Sequence, residues 1–279
     1  MDLAPPTELA TPAGTAVLTF QDVSIGFGER DVLHKISFDL APGETKVLLG
    51  ENASGKTLLL KLGAGLIRPD SGRISLLGKD LGQLTEDELL ALHHQTGFVF
   101  QEGALFDSMT VGDNVAFPLR EVRTPEDKIE ARVRDALRFV QIEEAIDKLP
   151  GELSGGMRRR ASIARAIVAE PQVVFYDSPT AGLDPVTSQR ILSLILRGRD
   201  LHGITAMVAT HRIQDALGLA HYCYVGDPGS VVPLTSQESR KPHTSVMVLK
   251  DGGVYFSGSA DDLLDPTDPY LKEFRASAG

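Results

Sequence analysis

One cysteine, Cys223, stands in the 279 residues, and no Cys/His cluster has the spacing of a zinc site. An internal disulfide is excluded, and a reduced compartment without a structural metal is the simplest expectation. Long apolar runs are missing too, because charged or glycine residues interrupt each one before the roughly eighteen apolar residues that a membrane-spanning helix needs. A membrane role therefore requires a partner chain. Residues 1–15 carry acid and several prolines where a secretion signal needs a basic and then an apolar segment, so they read as a loose tail. Basic charge is also scarce: 28 Lys and Arg against 38 Asp and Glu leave a formal net charge of -10. That balance works against a broad grip on nucleic acid or anionic lipid, so an anion has to be held locally.

The hydrophobic content is 42%, enough for one large α/β domain with a buried core. Residues 17–23 and 36–40 alternate like antiparallel strands, and 45–49 form a short apolar run of the buried-strand type. Helical spacing predicts helices over 57–66, 86–94, 125–147, 157–169 and 186–199, with a last long helix after 209. Strands are expected at 72–77, 97–100, 172–176 and 205–209, an alternation that implies a mostly parallel sheet. The stretch 226–244 is rich in Pro, Gly, Ser and Thr without periodicity and reads as an inserted loop.

Between the strand 45–49 and the following helix lies Gly50-Glu51-Asn52-Ala53-Ser54-Gly55-Lys56-Thr57, which fits G-x-x-x-x-G-K-[ST] in the strand–loop–helix context its mechanism requires. Glycines let backbone N–H groups wrap a phosphate, Lys56 neutralises phosphate oxygens, and Thr57 offers a hydroxyl to Mg²⁺. Four apolar or aromatic residues, 173–176, deliver Asp177 at a strand end, where it either meets the hydrated metal or simply caps a turn. Leu153-Ser154-Gly155-Gly156-Met157 opens a basic helix; it is either a plain helix cap or a second phosphate-binding element.

The order of P-loop, Gln101, Leu-Ser-Gly-Gly-Met, Asp177, Ala181-Gly182-Leu183-Asp184 and His211 resembles the ABC transporter nucleotide-binding domain over roughly residues 17–264. The resemblance implies a P-loop α/β core with a mostly parallel sheet, an antiparallel β part and a helical subdomain at about 102–165, all within 16–265, followed by a tail at 266–279. It implies ATP and Mg²⁺ as ligands, and a homodimer packed head to tail with ATP at the interface. The signature Ser154-Gly155-Gly156 of one chain then closes over the phosphates held by the P-loop of the other. Phe27 looks like the aromatic that stacks on adenine, with a place in the core as its structural alternative. Gln101 resembles the residue that senses Mg²⁺ and water. His211 resembles the switch histidine that faces the γ-phosphate, and Asp184 the residue linking the two sites; a helix cap is the duller role for each. Thr57, Gln101 and Asp177 are the expected metal group.

Ser178 departs from the pattern, because the family usually has a glutamate there to activate water. A serine hydroxyl is not a base near neutral pH, so reduced turnover is expected, and an ATP-dependent dimerisation switch with little hydrolysis is the competing reading. Glu51 is unusual beside phosphates and is expected to point outward. Gly103-Ala104-Leu105-Phe106, Met109-Thr110-Val111, Asp113-Asn114-Val115 and the run 117–121 resemble the ATPases of the Mla/Mce lipid-transport group. That implies a position at the inner face of the cytoplasmic membrane, with an MlaE-like integral permease and an Mce-type substrate-binding protein as partners, and no nucleic acid. An ABC ATPase acting on DNA or ribosomes would need a long internal coiled coil or two such domains, and neither is present.

Overall fold

Alternating burial along β1 (Leu18–Phe27) turns Leu18, Phe20, Val23 and Ile25 inward and leaves the opposite face wetter. The computed structural model describes residues 16–28, 30–226, 229–234, 244–264 and 268–277; the expected tail at 1–15 lies outside them. β1 pairs antiparallel with β2 (Arg30–Leu40).

The chain then enters β3 (Thr45–Leu49), α1 (Lys56–Gly63), β4 (Ser71–Leu76), β5 (Lys79–Asp80), α2 (Glu86–His93) and β6 (Thr96–Val99). Next come α3 (Val111–Glu121), α4 (Glu126–Phe139) and α5 (Gly155–Ile167), then β7 (Val173–Asp177), α6 (Pro185–His202), β8 (Thr205–Ala209) and α7 (Ile213–His221). The last elements are β9 (Tyr222–Gly226), β10 (Gly229–Pro233), β11 (Thr244–Lys250), β12 (Gly253–Gly258), α8 (Ala260–Leu263) and α9 (Pro269–Ser277).

Two main sheets result. The six-stranded sheet runs β12-β11-β3-β8-β7-β6, parallel except for β12, and the four-stranded antiparallel sheet runs β2-β1-β4-β5. In β3, β7 and β8 every residue is buried, and the two-residue period deals successive side chains to two separate cores. Val47, Leu49, Val174, Tyr176 and Val208 face the helices α5, α6 and α7, whereas Leu48, Val173, Phe175 and Met207 face α1 and the antiparallel sheet. The mostly parallel sheet, the antiparallel part and the helical part are therefore all present as expected.

The helices α3, α4 and α5 pack on one another through Val115, Leu119, Ile129, Val133, Leu137 and Ala161. Buried Asn114 ties the preceding loop to α3: its Oδ1 accepts from Phe106 N (2.7 Å), and its Nδ2 donates to the Phe106 and Thr110 carbonyls (both 3.0 Å).

Several boundaries differ from the sequence expectation. The helix expected over 125–147 stops at Phe139, because Gln141 turns left-handed (φ 59°) and Ile142 N–H bonds back to Leu137 O at 3.0 Å. The long helix expected after 209 is only Ile213–His221, since Tyr222-Cys223-Tyr224-Val225 is aromatic and β-branched and becomes a strand. Within the stretch read as an inserted loop, Gly229–Pro233 pairs antiparallel with β9; residues 227–228 and 235–243 lie outside the described ones. The stretch 266–279 was expected to be a tail, yet it holds α9, which buries Leu271 and Phe274 three residues apart on one face. Tyr270 of α9 meets Tyr255 edge to face at 4.8 Å, and Lys250 Nζ sits 3.9 Å from the Tyr270 ring centroid.

Candidate functional site

At the C-terminal ends of β3, β7 and β8 the sequence places three different loops, which is where an open parallel sheet binds ligands. The loop after β3 bends through Gly50 (φ 153°), Ala53 (φ 62°) and Gly55 (φ 97°). A Cβ on Gly50 would stand 2.6 Å from Ser54 Oγ and 2.7 Å from Leu249 O, so the close approach itself demands glycine. Helix α1 starts without a side-chain cap, which leaves its first N–H groups open to an anion.

Lys56 folds back over this loop. Its Nζ donates to the carbonyl oxygens of Gly50 (2.8 Å) and Glu51 (2.7 Å) and lies 3.4 Å from Ser54 Oγ. Burial holds the ammonium below the usual lysine range, with Asp177 and Glu51 opposing that shift. The exposed Glu51 side chain agrees with the expected outward orientation.

Thr57 Oγ1 donates toward both carboxylate oxygens of Asp177 at 3.0 Å each. A hydroxyl and a carboxylate this close form a hard oxygen pair suited to Mg²⁺ that keeps its waters and shares substrate phosphate. Among the described residues no cluster of three His, Cys, Asp or Glu side chains that could hold a metal ion is present, so Thr57 and Asp177 do not belong to a carboxylate cage.

A concavity of about 400 Å³ opens above the pair, lined by Phe27, Asn52, Ala53, Gly55, Lys56 and Thr57 together with Gln101, Ser178 and His211. Phe27 is 60% exposed, which removes the core alternative and leaves a free ring face beside Val32 and Ile67. Lys61, one turn beyond Thr57 on the same face of α1, also lines the wall; the sequence reading missed it, although the four-residue spacing carries the signal.

Ser178 adopts φ 48° and is tied by its N–H to Ala209 O (2.9 Å), with its Oγ 3.4 Å from Asp177 Oδ1. Gln101 sits on a loop stapled from both sides to α5: Arg159 Nη1 donates to Phe100 O (3.0 Å), and Arg165 donates to Gly103 O (3.0 Å) and Ala104 O (2.7 Å). Arg158 and Arg160 likewise donate to carbonyls, of Leu153 and Gln141. The arginines of α5 thus hold loops in place, a role that their basic run gave no means of foreseeing.

Ser154, Gly155 and Gly156 do not line the concavity. Ser154 Oγ accepts from Met157 N at 3.2 Å and caps α5; Asp184 accepts from Thr187 N at 3.0 Å and caps α6. Hydrogen bonding to Thr187 holds the Asp184 carboxyl below its ordinary range. Both therefore perform the capping alternative within one chain.

A P-loop after β3 and a strand-end aspartate on β7, on either side of β8 in a parallel sheet, with an aromatic shelf beside them, define a nucleotide-binding hydrolase. The comparisons narrow the class. The ABC transporter family model matches residues 33–181. The chain is 35% identical over 253 residues to the intermembrane phospholipid transport system ATP-binding protein MlaF of Haemophilus influenzae, covering 88% of this chain and 93% of that one. It is 33% identical over 259 residues to MlaF of Escherichia coli, covering 92% and 88%. Among solved structures, the cassette MJ0796 in a dimeric post-hydrolysis state with ADP and Pi superimposes with a TM-score of 0.73 at 25% identity, covering 87% of this chain and 98% of that one. CbiO1 from Clostridium perfringens, part of the ABC transporter complex cbiONQ, gives 0.74 at 29% identity over 89% and 90%. The chain belongs to the ABC transporter family as an ATP-binding subunit, an ATPase coupled to transport.

Proposed function

We propose that this ATPase powers phospholipid, or closely related hydrophobic, transport through a separate integral permease at the inner face of the cytoplasmic membrane. The observation that carries the reading is the similarity to MlaF along nearly the whole of both chains, 253 residues at 35% identity. A second groove, of about 340 Å³, supports a docked partner: it lies between the helical part and the sheet and is lined by Phe98, Phe100, Phe106, Phe117, Pro118 and Arg165. No helix among the described residues is long and apolar enough to cross a membrane; in this reading the spanning segments are those of an MlaE-type permease, working with an Mce-type binding protein.

In this reading Phe27 stacks on adenine, and the loop of Gly50, Asn52, Ala53, Ser54 and Gly55 turns its N–H groups to the phosphates. Lys56 exchanges its carbonyl partners for phosphate oxygens, a charge-assisted bond stronger than the ones it leaves. Thr57 and Asp177, with Gln101, hold Mg²⁺, which supplies charge neutralisation on the transferred phosphoryl group. His211 faces the γ-phosphate and positions water from the opposite wall. Ser154, Gly155 and Gly156 complete the site from a second copy, so ATP is held at a head-to-tail dimer interface, with Asp184 at the contact between the two halves.

Ser178 favours a second reading. It occupies the place of a general base worth roughly a hundred-fold or more in rate, and a chain without one can serve as an ATP-dependent dimerisation switch. The test of both is Mg-ATP hydrolysis and lipid transfer by the chain reconstituted with its copurified permease. Loss of hydrolysis and transfer together in Lys56→Ala supports the motor; ATP-dependent dimers without turnover in the wild type support the switch. Transfer that persists in Lys56→Ala rules out both.

A further inference from the structure

The residues on either side of His211 in the chain belong to a connected, mostly buried set of polar side chains. Asp215, in the first turn of α7, is 1% exposed, and so are Thr180 and Thr210. Asp215 Oδ2 accepts from Thr180 Oγ1 at 2.5 Å and from Thr210 Oγ1 at 2.7 Å. Thr210 Oγ1 also accepts from the backbone N–H of Arg212 at 3.1 Å. The Arg212 guanidinium stands 3.9 Å from Asp215 Oδ1 and donates to Ser188 Oγ at 3.1 Å, and Ser188 Oγ lies 3.5 Å from the Leu183 carbonyl oxygen.

These partners belong to two loops that both reach the nucleotide concavity. Thr210 and Arg212 flank His211, while Thr180 and Leu183 lie on the loop that runs from Ser178 to Asp184. Ser178 N–H is also bonded to Ala209 O, so the strand ends are registered by backbone and the loops beyond them by the Asp215 carboxylate. A buried carboxylate is an expensive way to fill space, and an apolar side chain in a packed site is commonly as stable or more so. Stability therefore does not account for an acid at this position; a fixed separation between the two loops does.

We propose that Asp215 is a positioning residue for ATP hydrolysis. It holds the His211 turn at a set distance from the Ser178–Asp184 loop, so that the two move as one body when the site closes. The inference rests on the reading that His211 faces the γ-phosphate. It is sharpened by Ser178: without a glutamate base, water placement depends on the position of His211 and of the loop opposite it.

The test uses the full chain with its copurified membrane partner and a double-mutant cycle between Asp215→Ala and His211→Ala. Asp215→Ala is expected to lower kcat by about tenfold or more while KM and the affinity for a fluorescent ATP analogue stay within about twofold. In the His211→Ala background the same change is expected to alter kcat by less than about twofold, because the residue it acts through is gone. Asp215→Asn keeps an acceptor oxygen and should fall between wild type and alanine. Thr180→Val removes one donor with little change of shape; it is expected to lower kcat several-fold, about half-way to Asp215→Ala, and serves where Asp215→Ala does not fold. Unchanged kcat in folded Asp215→Ala or Thr180→Val, or full multiplicative losses with His211→Ala, overturns the proposal. If His211→Ala alone leaves kcat unchanged, the premise fails with it; if His211→Ala is harmful and Asp215→Ala is not, the proposal alone fails.

Discussion

Replacing Ser178 by glutamate adds a base at the one position where the site lacks it, and the surrounding geometry allows the effect to be estimated. The backbone cost does not change: φ is 48° at this residue, and the left-handed region costs serine and glutamate alike about 1 kcal/mol. Ser178 Oγ already stands 3.4 Å from Asp177 Oδ1, so a carboxylate two bonds further out lies at roughly 6 Å from that charge. At an effective dielectric of about 20, two like charges at that separation repel by roughly 3 kcal/mol, which raises the new carboxyl toward the range where it can accept a proton from water. Lys56 and the bound cation offset part of that repulsion. A placed general base contributes about 10²–10⁴ in rate, so kcat is expected to rise by about a hundred-fold, with KM changed far less. The assay is steady-state phosphate release by the reconstituted complex, with Lys56→Ala as the blank that assigns the activity to this site. A kcat within about twofold of wild type would falsify the argument that the missing carboxylate limits the chemistry.

Gly50→Ala is expected to abolish nucleotide binding measured with a fluorescent ATP analogue, because its Cβ would meet Ser54 Oγ at 2.6 Å and Leu249 O at 2.7 Å; affinity within a few-fold of wild type would contradict that loop geometry. Arg199 and Asp200 form a bidentate ion pair whose side chains are 2% and 0% exposed, and Arg199 also donates to the Leu219 and Tyr222 carbonyls. Arg199→Met strands the Asp200 charge and should lower unfolding free energy in urea by about 3–5 kcal/mol, with the Arg199→Met/Asp200→Leu double variant recovering part of the loss. Hydrogen bonds from Thr85, Thr110 and Ser259 hold the carboxyls of Glu88, Asp113 and Asp262 below their ordinary values of 4.5, 3.8 and 3.8. Depressed folded-state values mean that this stability is present above pH 4.5 and disappears as pH falls through the lower folded values. Circular dichroism melts should therefore be flat from pH 7 to about 5 and drop below about 4, and a rise in stability on acidification would contradict the assignment.

The nucleotide chemistry could be read from the sequence because it is local. Gly50 to Thr57 is one continuous run whose backbone needs and side-chain charges are both encoded within eight residues, while Asp177 ends, and His211 closely follows, an apolar strand that is itself visible as a pattern. The mostly parallel sheet was legible for the same reason, since β3, β7 and β8 are short apolar runs of the buried-strand type. Element ends were less legible: Gln141 in a left-handed turn ends α4 where the apolar spacing continues, and α9 was hidden in a segment too short to separate from a tail.

What only the tertiary structure decided is which distant groups share a charge or a hydrogen bond. In the sequence the arginines of α5 are only a basic run; packing directs them to the carbonyls of Phe100, Gly103, Ala104, Leu153 and Gln141. Thr180 and Asp215 are 35 residues apart and meet only because β7 and β8 are neighbours in the sheet. A sequence specifies which side chains are present and the local period that sorts them into faces, whereas a partner across two loops is fixed by strand order and register, which arise from the packing of the whole core.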